Sequence, residues 1–474
     1  MGTKLAYAMG RAAESIKGRA FETFLFFYYV QVLGLSGFRS GLALGIALAF
    51  DAVTDPVAGW ISDNWRSRWG RRHPFMLAAP IPLAVFFYLL FVPPDGLSQW
   101  QLFAWLTTFA VLSRASMTLF HVPHLALGAE LSSDYLERTQ IVSIRAFAGI
   151  LGSALAGGMG LFYFFASTPE YEKGQMNAAA YPGFAAFCAL AMAASILICV
   201  VGTRSSIPRL QGPSSERKSF HPFQAYVGTY RALKNPSFRA LFIGVVLIAI
   251  AAGAHSTMLL HMGTFFFALT SEQIGYYVPT MVAGALLAIP VTGVLHKRFD
   301  KKPTFIGIYC GTLLFSIAPV LLRLVDLFPE NGHPLLLPLL LVSMGVSTFG
   351  GVVGGITGAS MMADIADQHA LETGQREEGI FFGALSFSGK AASALGHTVA
   401  GLGLDLIRWP RGADVLLENI PPETIWNLGF FYGPTMTTFA VVALLFFSRY
   451  RLTRERHEYI VAELAARRDR TEAT

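Results

Sequence analysis

The sequence predicts an all-α polytopic membrane protein, and three observations carry that expectation. Of 474 residues, 53% are hydrophobic and only 14% are charged, where a soluble domain carries about 25% charged residues. Mean hydropathy is +0.49. The apolar residues also come in continuous runs long enough to cross a bilayer, which takes ~20 residues at 1.5 Å each. Closed β-barrels are the only other spanning solution, and they would show alternating rather than continuous apolarity.

The runs fall near 7–35, 41–62, 74–93, 101–128, 142–166, 182–203, 239–268, 273–296, 303–325, 334–363, 380–404 and 428–448, which gives about twelve helices. The first carries Arg11, Glu14, Lys17, Arg19 and Glu22 in its first half. Either its beginning lies in the membrane interface or several of those charges face a wet cavity. The second holds Asp51 and Asp55 within the apolar stretch and ends in Arg66, Arg68, Arg71 and Arg72. The fourth reads VLSRASMTLFHVPHLALG, in which Arg114, Thr118 and His121 share one helix face. Pro123 follows them and should free a backbone carbonyl nearby. Arg145 stands near the start of the fifth run, His255 inside the seventh, and Lys390 at mid-depth in the eleventh with His397 on the same face. Gly350, Gly351, Gly354, Gly355 and Gly358 line the tenth at small-xxx-small spacing, suited to close packing or a bend.

Charge placement sets the orientation. Lys and Arg gather in one alternate set of loops: the hairpin at 62–74, Arg204 to Arg239, the hairpin with Lys297, Arg298, Lys301 and Lys302, and the tail from Arg449. The opposite loops hold almost none, so both termini and the long middle loop are expected in the cytoplasm. Basic hairpins follow both the second and the eighth runs, each leading into a proline, Pro74 or Pro303. These matching positions suggest two six-helix halves. The expected organisation is an N-terminal bundle at 1–203, a cytoplasmic loop at 204–238, a C-terminal bundle at 239–449 and a basic tail at 450–474.

The formal net charge of +6 does not indicate nucleic acid. The cations cluster between apolar runs, and no basic face interleaved with aromatics accompanies them. Cys188, Cys199 and Cys310 lie inside apolar runs without metal-ligand spacing and read as small core residues. No apolar core ending in a small-residue cleavage site marks a removable signal peptide.

The chemistry centres on Asp51 and Asp55. A carboxylate at mid-membrane costs roughly 2.5–3.5 kcal/mol on insertion scales, so two need a reason. Four residues apart, they share a helix face and repel unless a cation joins them. Two carboxylates with a hydroxyl suit Na⁺ or H⁺, because a hard cation prefers oxygen ligands. Without that ion the pair should hold a proton or lean on Lys390. With it, closure around a midplane site strands no charge, which couples ion to transport. The bland alternatives are a Lys390 that only neutralises a carboxylate, a Thr118 bonded back to its own helix, and an Arg145 that snorkels to the interface.

At this point the chain resembles a known family. The segment Asp51-x-x-Thr54-Asp55-Pro56, running into Arg66-Ser67-Arg68-Trp69-Gly70-Arg71-Arg72, is similar to the glycoside–pentoside–hexuronide:cation symporters. These form the melibiose permease-like branch of the major facilitator superfamily. Met362-Ala363-Asp364-Ile365-Ala366-Asp367, then Glu378-Gly379-Ile380 and on to Lys390, resembles the same family. The resemblance implies the major facilitator fold and a cation site of Asp51, Thr54, Asp55 and Thr118. It places Lys390 beside that site as a coupling residue and Arg145 in or near the sugar site. Sugar-transporting members carry acidic residues on the first and fourth helices; by spacing from Gly34 and Pro123, those positions here are Ser15 and His121. The phrase Phe120-His121-Val122-Pro123 and the opening Lys4-Leu5-x-Tyr7-Ala8-x-Gly10 are similar instead to the sodium-dependent lysolipid symporter branch.

The expected function is therefore a secondary active transporter that couples Na⁺ or H⁺ to symport of a small organic solute. A sugar, glycoside or hexuronide leads; a lysophospholipid or another anionic or zwitterionic amphiphile is the alternative, and a channel or scramblase ranks lower. Substrate contacts are expected from His121, Arg145, Arg114 and Ser15. An intramembrane aspartyl hydrolase would bring its two acids from separate helices, whereas here both lie on one, so no enzyme is expected. No cofactor beyond the coupling ion is called for. The expected partners are a small-molecule substrate and the lipid bilayer, without nucleic acid, for a monomer in a bacterial inner membrane.

Overall fold

The computed structural model describes residues 1–132, 134–209, 233, 235–373 and 378–472, and among them there is no strand. The helices are α1 (Gly2–Arg19), α2 (Gly37–Asn64), α3 (His73–Ala78), α4 (Pro80–Leu90), α5 (Gln99–Glu130), α6 (Tyr135–Met159), α7 (Ala180–Thr203) and α8 (Pro236–His261). There follow α9 (Ser271–Gly275), α10 (Tyr277–Arg298), α11 (Lys301–Leu324), α12 (Leu336–Thr373), α13 (Glu378–Leu406), α14 (Pro422–Phe430), α15 (Met436–Phe447) and α16 (Arg454–Glu472). Ten helical stretches among the described residues are long and apolar enough to cross a membrane. The charged first helix and α13 complete the order expected from the apolar runs.

The ends follow local chemistry. Ser36 caps α2 by accepting from the Arg39 amide at 3.2 Å, after Gly34 turns the chain at φ 72°. Ser98 and Gln101 form a capping box at the start of α5, and Asp134 accepts from the Glu137 amide at 2.7 Å to start α6. The third apolar run is not one helix: it breaks at Ala79, before Pro80, because proline lacks the amide that would continue the ladder. Pro123, by contrast, leaves α5 running on to Glu130. The first helix continues past Arg19 through two π-helical stretches, Ala20–Leu25 and Tyr28–Val32.

The described residues group into two compact units. The first takes in Met1–Phe220, Ala254–Val278 and Ala394–Leu428; the second takes in His221–Gly253, Pro279–Ser393 and Gly429–Thr474. Most of the expected middle loop, at 210–232 and 234, lies outside the described residues, as do the side chains of Glu378 and Ile380.

In the first unit, α1 is set by close approaches rather than by bulky side chains. A Cβ on Gly10 would meet His124 at 2.6 Å, and one on Gly152 would meet the Ala12 carbonyl at 2.6 Å. Above this lies an aromatic core in which Tyr28 stacks on Tyr181 at 4.1 Å and Phe24 abuts Phe165 and Phe184. The N-terminal turns of α2 run against the part of α13 in the same unit. A Cβ on Gly41 would sit 2.3 Å from the His397 carbonyl, and one on Gly401 would sit 1.9 Å from that of Gly37. Asp405 finishes the contact by accepting from the Gly37 and Phe38 amides, both at 2.9 Å. His397 itself shares a hydrogen bond with Thr257 at 2.5 Å.

The arginine hairpin forms a clamp. Arg72, 4% exposed, reaches Asp63 at 2.5 Å, the Ser62 hydroxyl at 2.8 Å and Glu130 at 3.0 Å. Arg71 joins the same Glu130 oxygen at 2.7 Å. The hairpin thus ties the end of α2 to the end of α5.

In the second unit, Gly350, Gly354 and Gly358 pack α12 closely on Thr312, Tyr309 and Phe305 of α11, while a Cβ on Gly351 or Gly355 would meet nothing within 4 Å. The chain after Arg449 folds into α16, whose fully buried Ile460 joins a core with Phe305, Met361, Ile365 and Phe447. His457 anchors it between Asp364 at 3.3 Å and Asp367 at 3.2 Å, and Lys301 holds Asp364 at 2.7 Å. Cys188 and Cys199 are buried as expected, but Cys310 is exposed. A helix apolar all round does not reveal from sequence which face is covered.

Candidate functional site

The first unit gathers buried charge from three helices. On α2, Asp51 is 6% exposed, and one turn later Asp55 is half-buried. On α5, Arg114 Nη1 donates to Asp51 Oδ2 at 2.5 Å, and the Thr118 hydroxyl donates to Asp55 Oδ1 at 2.9 Å. The two bonds form parallel rungs, because each joins residues one turn apart on both helices. From α1 comes Lys17, 8% exposed, whose electrostatic surroundings are Arg114, Asp51, Glu14 and Asp55. The Phe21 ring lies under both cations, 5.2 Å from the Arg114 guanidinium and 6.0 Å from Lys17 Nζ. An aromatic face stabilises cations that burial would otherwise penalise.

The charges are matched in number but incompletely bonded. Asp51 Oδ1 and Arg114 Nε are both buried without a hydrogen-bond partner. A guanidinium and a carboxylate can meet through two parallel bonds, and here they use one. One acceptor and one donor are left aimed into the cluster, and a buried polar atom without a partner costs about 1–3 kcal/mol. Thr118 spends its proton on Asp55 and keeps its oxygen lone pairs. Thr54 does likewise, donating to the Phe50 carbonyl at 3.0 Å. Asp51, Asp55 and the two hydroxyls are therefore oxygen donors of the kind a hard cation takes. Among the described residues no group of three or more His, Cys, Asp or Glu forms a metal cluster.

A second polar group adjoins on α1 and α5. His121 Nδ1 lies 2.9 Å from Glu14 Oε2. Arg11 binds the same Glu14 oxygen. Arg145, on α6, reaches the Tyr7 hydroxyl, and Tyr7 stacks on His124 at 4.4 Å.

Several expected residues thus come together: Asp51, Asp55, Thr118 and Arg114 in the first group, with His121 beside Glu14. Arg114, expected on the substrate, is bonded to Asp51. Ser15 faces α6, its hydroxyl 3.1 Å from where a Gly149 Cβ would stand; the residue of α1 that meets His121 is its neighbour Glu14. Lys390 is partly buried on α13 and belongs to the second unit. Glu14, Lys17 and Phe21 were not assigned to the site from sequence, although a charge in the first half of an apolar run was the signal for two of them.

Spanning helices thus enclose a buried, partly unsatisfied cluster of acidic and basic side chains. The chain belongs to the MFS/sugar transport protein family, whose model it matches over residues 6–454. It is 22% identical to the glucuronide carrier protein homolog of Escherichia coli, covering 98% of this chain and 96% of the other. It is 25% identical to the sodium-dependent lysophosphatidylcholine symporter 1 of Gallus gallus, over 96% of this chain and 87% of that one. The fold matches the crystal structure of the nucleoside transporter NupG with a TM-score of 0.65 at 13% identity, over 95% of this chain and 100% of the other.

Proposed function

We propose that this chain is a secondary active transporter that couples Na⁺ or H⁺ to symport of a small organic solute by alternating access. The solute of the leading reading is a sugar, glycoside or hexuronide, in keeping with the family description. The observation that carries the coupling is the single bond between Arg114 and Asp51, which leaves one oxygen and one nitrogen unsatisfied. A cation taken up by Asp51 and Asp55, with Thr54 and Thr118 oxygens completing its shell, competes with Arg114 and Lys17 for the carboxylates. Arg114, relieved of its partner, then offers its donors to an acidic or hydroxyl group on the solute. Ion and solute thus each improve the site for the other, a coupling that is reciprocal by linkage. Lys390 is the coupling residue that the family resemblance implies. His121, Glu14, Ser15 and Arg145 line the solute side.

A second reading is a sodium-coupled lysophospholipid symporter. It draws on the relative in Gallus gallus and on the cations Arg11, Arg114 and Arg145, which suit a phosphate. In either case the protein acts as a monomer in the inner membrane, with both termini cytoplasmic. The test is counterflow and gradient-driven uptake in proteoliposomes, with glycosides, glucuronides and lysophosphatidylcholine offered in turn, with and without Na⁺. Trans-stimulation by unlabelled solute supports a carrier, and its absence with every solute overturns the reading.

A further inference from the structure

A recess of about 650 Å³ opens in the second unit where α8 and α11 begin and α15 ends. Four cations from three segments line it: Arg239 from α8, Lys302 from α11, and Arg449 and Arg451 from the chain after α15. None of the four is ion-paired among the described residues. Arg449 is propped over the Phe446 ring at 5.4 Å. The one acid, Asp300, is already engaged, accepting from the Lys301 amide at 2.6 Å and the Arg454 amide at 3.2 Å. Its charge is thus turned toward backbone amides, and the floor is closed by Tyr450, only 1% exposed. The recess shares no residue with the transport cluster.

Cations that only set topology need no shared cavity, and these four line one. We propose that the recess binds the phosphate head group of an anionic membrane lipid. The chemistry read is a phosphate, which Arg and Lys recognise by charge-assisted hydrogen bonds. Position favours a lipid over a soluble phosphate as its source. The recess lies at the ends of three spanning helices, on the side that the Lys and Arg bias assigns to the cytoplasm. Basic pockets between spanning helices on that side are suited to such lipids.

The test uses the full-length protein in neutral detergent, titrated with dioctanoyl phosphatidylglycerol, dioctanoyl phosphatidylcholine or glycerol 3-phosphate. Thermal unfolding and native mass spectrometry are the readouts. The expected result is retention of one phosphatidylglycerol with a rise in unfolding temperature that weakens with salt, and no comparable effect of the other two. The R449Q/R451Q variant should weaken retention at least about tenfold, as should R239Q alone if the double variant fails to fold. Arg298→Gln, outside the recess, should leave it unchanged. Equal retention in R449Q/R451Q or R239Q overturns the proposal. Phosphatidylcholine or glycerol 3-phosphate matching phosphatidylglycerol does the same, as does loss of retention in Arg298→Gln.

Discussion

Arg114 and Asp51 touch through one bond of 2.5 Å where two were available. The unused Asp51 Oδ1 and Arg114 Nε are both buried. Such a pair is held together strongly enough to fold and left incomplete enough to exchange partners. Removing one member of a buried pair typically costs 3–5 kcal/mol, because the other is stranded. Arg114→Ala should therefore lower the unfolding temperature and abolish cation-driven uptake. Arg114→Lys should recover more of the stability than of the uptake, since a point charge lacks the planar fork. Thermal unfolding and proteoliposome uptake, measured side by side, separate the two effects.

Asp55→Asn keeps an acceptor for the Thr118 hydroxyl but removes the charge. We expect cation-driven accumulation to be lost while solute exchange across the membrane persists. Full Na⁺- or proton-driven accumulation in this variant would remove Asp55 from the coupling step.

His121→Ala should change solute affinity more than cation affinity, and Glu14→Gln should do the same because the two side chains are in contact. Binding of solute and of Na⁺ measured by isothermal titration checks this. A larger effect on the cation would move the solute pocket elsewhere.

Arg72→Ala deletes contacts to Asp63, Ser62 and Glu130 at once. By the scale of buried pairs the loss is roughly 3–5 kcal/mol. The unfolding temperature should fall by more than for Arg68→Ala, a hairpin arginine exposed at the surface.

Gly41→Leu should be more disruptive than Gly351→Leu. A side chain at Gly41 meets the His397 carbonyl at 2.3 Å, whereas at Gly351 nothing lies within 4 Å. Equal expression and equal unfolding temperatures would show that the close approach of α2 to α13 is not needed for folding.

The spans and the acid pair were legible in sequence because each depends on a one-dimensional property. Apolar runs record membrane crossing directly, and Asp51 and Asp55 stand out because burial of charge is costly. The pairing of Arg114 with Asp51 was not legible, since it depends on the rotational phase of α5 against α2, which composition does not carry. That Glu14 rather than Ser15 meets His121 depends likewise on the rotational phase of α1. The docking of α16 was missed for a different reason: Ile460 and Leu464 stand among many charges and mark no buried face until Met361 and Ile365 are seen beneath them.

The glycine contact between α2 and α13 has a consequence for how freely the N-terminal end of α2 can part from its neighbour. Gly37, Gly41 and Gly401 bring carbonyls and Cα atoms together, so the close approach rests on backbone, with the Thr398 and Asp405 side chains bonding across it. Opening it would wet backbone carbonyls that remain bonded within their own helices, while the two amides held by Asp405 would need new acceptors and the Thr398 hydroxyl would lose Gly41. Such a seam resembles a magnetic catch more than a bolt: it aligns two helices closely when shut and leaves little behind when it releases.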